Sequence, residues 1–126
     1  MSLQQYIDQL QAAIAYLSTT SFVINTTLHT DLRAGDQAFV QGTVHFTDNS
    51  LLHFKESLDA VSDQVDKLMY SYHYQDAQKQ LIFRYDNAAH KPPLAFTEHK
   101  LLSDCVEAAP APTLDAVFKE ILATWP

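Results

Sequence analysis

Residues 68–90, LMYSYHYQDAQKQLIFRYDNAAH, decide the fold. The period of this stretch is two. Tyr70, Tyr72 and Tyr74 alternate with Met69, Ser71, His73 and Gln75, and Leu81, Phe83 and Tyr85 alternate with Ile82, Arg84 and Asp86. Alternation of aromatic and polar residues predicts two strands. A loop of residues 76–79 aligns Tyr74 with Leu81, Tyr72 with Phe83 and Tyr70 with Tyr85. One face is then an aromatic ladder, which cross-strand pairing favours. The other carries Ser71, His73, Arg84 and Asp86. A one-residue slip would mix the two sets, so the pattern itself argues for the faces.

Upstream, residues 2–17 place Leu3, Tyr6, Ile7, Leu10, Ile14 and Leu17 at helical spacing, and Ser2 with Gln5 forms a capping box. That stripe reads as core packing rather than a partner surface. Residues 22–33 are β-branched and strand-like. Ala34-Gly35-Asp36 turns the chain into a second strand over 39–47, where Val40, Val44 and Phe46 share a face with Gly42. A glycine inside a strand marks a bulge or a close contact. A turn at 48–50 returns the chain over 52–58 and aligns Phe46 with Leu52, Val44 with Phe54 and Gly42 with Glu56. Glu56 thus falls on the apolar face, either at the wet rim or held by a partner. Residues 59–66 read as a polar connection.

Downstream, Pro92-Pro93 ends the hairpin in a loop that gathers His90, Lys91, His99 and Lys100. Residues 94–104 read as a short strand or irregular chain. The AAPAP of 108–112 is a linker, and Thr113 caps a closing helix whose stripe is Leu114, Val117, Phe118, Ile121, Leu122 and Trp125. The expected fold is α+β: a single domain over residues 1–126, with an antiparallel sheet of about five strands in meander order. The N-terminal and C-terminal helices cover one face of that sheet. The other face, with His45, Ser71, His73, Arg84 and Asp86, stays open.

Composition sets bounds. The chain has 126 residues, 47% apolar and 18% charged, enough for a real core. A net charge of −7 argues against a broad nucleic-acid footprint and leaves room only for a local basic spot. Cys105 is the single cysteine, which rules out an internal disulfide and fits a reduced, cytoplasmic protein. The polar start MSLQQYIDQL reads as neither a signal peptide nor a membrane span.

YSYHYQD at 70–76, LIFRYDNAAH at 81–90, Pro92-Pro93 and His99-Lys100 together resemble the bacterial TumE-like toxins of toxin–antitoxin systems, a domain of unknown function. FTDNSLLHFKESLDA at 46–60, including Glu56, and TLDAVFKEIL at 113–122 are similar to the same family, so the likeness runs over about residues 43–122. The resemblance implies a toxin neutralised by a partner, usually a small DNA-binding antitoxin. The family's loop often ends in HHKH. Here it reads Glu98-His99-Lys100-Leu101, so two of those histidine positions are not filled.

The residues themselves support a nuclease-like or nucleotide-directed chemistry. Arg84 suits a phosphate, because its fork binds two oxygens. His73 and His90 are acid–base candidates near neutral pH, and Asp86 is placed to orient one of them. Tyr72 and Tyr85 are candidates to stack on a base, and Asn87, His99 and Lys100 to contact the ligand. Taken singly, each has a plainer structural reading: Arg84 and Asp86 as a surface ion pair, His73 as a half-buried strand histidine. His73, His90 and His99 with Glu98 or Asp86 are zinc-type ligands, yet they lack the tight spacing of a metal motif, and no cofactor is implied. The competing class is a binding or assembly module without catalysis, a homodimer formed through the exposed sheet face or edge.

Overall fold

The computed structural model describes residues 1–89 and 96–125. Helix α1 (Leu3–Ser18) begins where expected. Ser2 Oγ accepts from Gln5 N at 3.1 Å, and Gln5 Oε1 accepts from Ser2 N at 2.8 Å, the reciprocal pair of a capping box. Strands β1 (Val23–Arg33), β2 (Gln37–Phe46), β3 (Leu51–Val61), β4 (Gln64–Gln75), β5 (Leu81–Asp86), β6 (His99–Leu101) and β7 (Val106–Ala108) follow, then helix α2 (Leu114–Ala123). The strands form one antiparallel sheet in order β1-β2-β3-β4-β5-β6-β7. Short turns join β1 through β5, and strands adjacent in sequence are adjacent in the sheet throughout, so no crossover occurs.

The fold class expected from sequence holds, with seven strands in place of about five. The two added strands have three residues each, too short for an alternating pattern to register: β6 falls within the 94–104 stretch read as a short strand or irregular chain, and β7 ends at the first residue of the expected 108–112 linker. The expected connection over 59–66 is itself a hairpin. Residues 59–61 prolong β3, Ser62 and Asp63 turn with positive φ of 50° and 65°, and β4 starts at Gln64. Positive φ at both central residues is the geometry a two-residue hairpin needs.

Both expected registers are displaced by two residues. Tyr72 opposes Tyr85 and Tyr74 opposes Phe83, because residues 76–80 form the turn and the pairing shifts beyond Tyr74. Val44 opposes Leu52, Gly42 opposes Phe54 and Val40 opposes Glu56, because the turn is made by residues 47–49, one position earlier than expected, with Asn49 at φ 67° and Phe46 N donating to Ser50 O at 3.0 Å. A displacement of two keeps every side chain on its expected face. Tyr70, Tyr72, Tyr74 and Phe83 are therefore buried under the helices, with Ile7, Leu10, Ile14, Leu17, Val117, Phe118 and Ile121. Gly42 is the close contact rather than a bulge: a Cβ there would lie 2.7 Å from the Phe54 ring and 2.5 Å from Thr27 O.

Glu56 has the held environment. It is 0% exposed and accepts from Tyr6 Oη at 2.6 Å and from Tyr72 Oη, with Lys67 Nζ at 3.7 Å. Lys67 Nζ also donates to Tyr72 Oη and to Pro112 O, both at 2.6 Å. A buried carboxylate is costly unless it is paired and hydrogen-bonded. Here one network ties α1, β3, β4 and the 109–113 segment together. Burial raises the Tyr6, Tyr70 and Tyr72 hydroxyls above the ordinary tyrosine range, reinforced by Glu56 for Tyr6 and Tyr72 and by Glu98 for Tyr70. Burial lowers the Lys67 ammonium, only partly opposed by Glu56.

Candidate functional site

On the face away from the helices, side chains fall into rows that cross the strands. One row runs Thr27, Thr43, His53, His73, Arg84 and Leu101; the next runs His29, Gln41, Lys55, Ser71, Asp86 and His99. The period of two puts these residues there: β2, β3 and the second half of β4 alternate buried and open positions, and pairing carries the faces across to their neighbours. His53 and His73 are direct partners across β3 and β4, and His73 and Arg84 across β4 and β5.

Arg84 is fixed at both ends of its guanidinium. Its Nε donates to Asp86 Oδ2 at 2.6 Å, and its Nη1 donates to His73 Nδ1 at 3.3 Å. An acceptor at Nδ1 leaves the ring proton of neutral His73 on Nε2, where Gln75 Oε1 lies 3.3 Å away. Asp86 is anchored in turn: Oδ1 accepts from Ala88 N at 3.1 Å and meets His99 Nε2 at 2.6 Å. The other nitrogen of His99, Nδ1, faces Thr97 O at 2.8 Å, and the ring is wholly buried. A chain of contacts therefore runs from buried His99 through Asp86 and Arg84 to His73 on the open face.

Charge and burial tune the two facing imidazoles the same way. Burial lowers His73, and Arg84 lowers it further. Burial also lowers His53, followed by the charges of Lys55, His73 and Arg84. Both rings are neutral near pH 7. Arg33 shares this face but sits at the far end of β1, paired with Asp31. The histidine row has two cations near it, Lys55 and Arg84, and Arg84 is itself paired with Asp86. A pocket of about 130 Å³ adjoins the row, lined by Phe39, Lys55, Ser57, Met69, Ser71 and Arg84 among others.

The candidates named from sequence divide between the faces. His73, Arg84, Asp86 and His99 come together on the open side. His90 lies outside the described residues. Tyr72 is 0% exposed under the helices, and Tyr85 donates to Glu120 Oε1 at 2.5 Å on the same side, so neither offers a ring to a base on the open face. Lys100 also turns to the helix side, where Nζ donates to Glu120 Oε2 at 2.9 Å. Asn87 is a splice: Oδ1 accepts from Tyr70 N at 3.2 Å and Nδ2 donates to Leu68 O at 3.0 Å. Glu98 faces away from the histidines, accepting from Tyr70 Oη at 3.3 Å and Ala111 N at 3.2 Å. Among the described residues, no group of three or more His, Cys, Asp and Glu side chains is arranged to hold a metal ion.

Two members of the cluster, His53 and Lys55, were missed in the sequence reading. The signal was present: they share a parity with Ser57 on β3, opposite to that of buried Leu52, Phe54 and Glu56.

Comparison with known proteins adds the family. The model of the family described as Toxin TumE matches residues 12–125, from the middle of α1 to the end of α2. No curated protein and no solved structure matches the chain. Among the described residues, no helix is long and apolar enough to cross a membrane. The match spans the whole sheet, including the His53–His73–Arg84 row, and on that extent the chain belongs to the TumE toxin family.

Proposed function

We propose that this chain is a toxin that cuts RNA at a phosphodiester held on the open sheet face. The observation that carries the reading is the row His53, His73 and Arg84, with both imidazoles held below their ordinary range and the guanidinium braced by Asp86. Two imidazoles and a cation are the parts needed for transfer within RNA. His53, whose ring accepts no hydrogen bond within the described residues, takes the proton of a ribose 2′-hydroxyl. The 2′ oxygen attacks phosphorus, and the bond from phosphorus to the 5′ oxygen breaks. A phosphate that draws Arg84 onto its oxygens frees His73 Nδ1 to bind a proton. The resulting imidazolium delivers its Nε2 proton to the leaving 5′ oxygen. The products are a 2′,3′-cyclic phosphate and a 5′-hydroxyl, and Arg84 offsets the charge that builds on phosphorus.

Membership of a toxin family implies a neutralising partner. We place that role with a small DNA-binding antitoxin that covers the same histidine row. A second reading, assembly as a homodimer, is supported by β1, an edge strand of 11 residues whose outer side meets no other strand of the sheet. Expression of the chain alone in bacteria tests the first reading. Growth arrest with fragmented RNA supports it. Arrest with intact RNA, or arrest that survives both His73→Ala and Arg84→Ala, removes it.

A further inference from the structure

The pocket beside the histidine row has a composition of its own. Phe39 and Met69 form its apolar wall, and Met69 is 63% exposed, a large thioether left in water. Lys55, Ser57, Ser71, Arg84, Asp86 and Asn87 supply the polar rim. Its volume of about 130 Å³ is well below the roughly 300 Å³ at which drug-sized pockets begin, so it admits one ring system and not a whole nucleotide. Arg33 stands over one side of the Phe39 ring at 5.6 Å while its Nε pairs with Asp31 at 3.2 Å, which leaves the pocket side of Phe39 as a platform. Position completes the case. Ser71 lies two residues from His73 along β4, an advance of roughly 7 Å, and Arg84 borders both the pocket and the histidine row.

We propose that this pocket is a base subsite: it holds the base of the nucleotide next to the cut phosphate, stacked on Phe39 and Met69, with its acceptor edge toward Lys55. The proposal rests on the phosphodiester reading of the adjoining row. It makes single-stranded RNA the substrate class, because a base must leave its duplex partner to enter such a pocket. It also assigns a role to a methionine and a phenylalanine that the core does not require. Of the two rim cations Arg84 is already paired with Asp86, so Lys55 sets the preference, for a base that presents a carbonyl oxygen.

Titration of the full chain with ribose 5-phosphate and with the four nucleoside 5′-monophosphates, followed by NMR, tests this. At least one mononucleotide binds about tenfold tighter than ribose 5-phosphate, the increment expected for one stacked base. Phe39→Ala and Met69→Ala each shrink that ratio severalfold and leave ribose 5-phosphate binding within about twofold. If Phe39→Ala fails to fold, Met69→Ala carries the test, since its side chain lies largely in solvent. Equal binding of sugar phosphate and mononucleotides overturns the base subsite and spares the phosphate site. A ratio that survives both variants also overturns it. Failure of every phosphate compound to bind overturns the subsite and the phosphodiester reading together.

Discussion

His53 on β3 and His73 on β4 are direct cross-strand partners, so two imidazoles face solvent side by side, with Arg84 next in the row on β5. Neither histidine supports the core, which lies on the opposite face. Replacing either with alanine is expected to lower RNA cleavage by at least about 100-fold, the usual worth of a positioned proton-transfer group. Denaturant midpoints should stay within the scatter of surface substitutions, about 0.5 kcal/mol. Cleavage assays and urea curves on the same preparations check both halves.

The acid limb of the activity has a defined side. His53 and His73 are both shifted down, by burial first and by neighbouring cations second. A base that stays unprotonated below the ordinary histidine value of about 6.5 keeps working below it. Single-turnover cleavage should therefore hold through pH 6.5 and decline only in more acid solution. The same shift acts on stability: between the lowered folded values and about 6.5, the unfolded chain binds more protons, so stability rises with pH across that window and is fully present above it. Both rings are half-buried and still screened by solvent, so this second effect is small.

Asp86 and His99 form a buried pair at 2.6 Å, with exposures of 5% and 0%. Breaking it from one side leaves the other group buried without its partner. His99→Ala should cost about 3 kcal/mol, the lower end for a severed buried pair. It should also loosen Arg84, whose Nε is held by the same carboxylate. Urea denaturation gives the first quantity, and the affinity for inorganic phosphate gives the second, expected to fall severalfold.

Much of this site was legible in the period-two pattern of residues 68–90, because parity alone assigns faces. Registers displaced by two residues left the assignment of Ser71, His73, Arg84 and Asp86 intact. Turn geometry was not legible: Asn49 and Lys79 adopt positive φ without being glycine, and each helps set a register that spacing does not reveal. Long-range partners were hidden as well. Nothing near Glu56 in sequence announces Tyr6, 50 residues away, and nothing near Asp86 announces that His99 returns on a three-residue strand. Tyr72 and Tyr85 were credited with stacking because aromatic residues serve both cores and bases, and only the position of the helices decides between them.

The network around Glu56 makes an alkaline prediction. Tyr6, Tyr70 and Tyr72 are raised above the ordinary tyrosine value of about 10, by burial first and then by Glu56 or Glu98. Groups raised in the folded state contribute stability that is complete below the unfolded value and is lost as pH climbs beyond it. Stability should fall above about pH 10, and the tyrosinate absorbance of these residues should emerge together with unfolding. Glu56→Ala, which leaves Lys67 buried without its carboxylate, should cost about 3–5 kcal/mol.

Gly42 offers a test of packing free of charge. Its hydrogen faces the Phe54 ring, and a methyl group there meets Thr27 O at 2.5 Å. Gly42→Ala should destabilise by about 1–3 kcal/mol, the cost of overpacking a tight site. Thermal unfolding of the single variant measures it.

The most direct test of the phosphodiester site is the chemistry of the ends it makes. Purified chain incubated with a single-stranded RNA oligonucleotide, without added metal, should yield fragments ending in 2′,3′-cyclic phosphate and beginning with 5′-hydroxyl. His53→Ala and His73→Ala should yield neither. An oligonucleotide left whole by the unaltered chain, or cut equally well by both variants, would contradict the account.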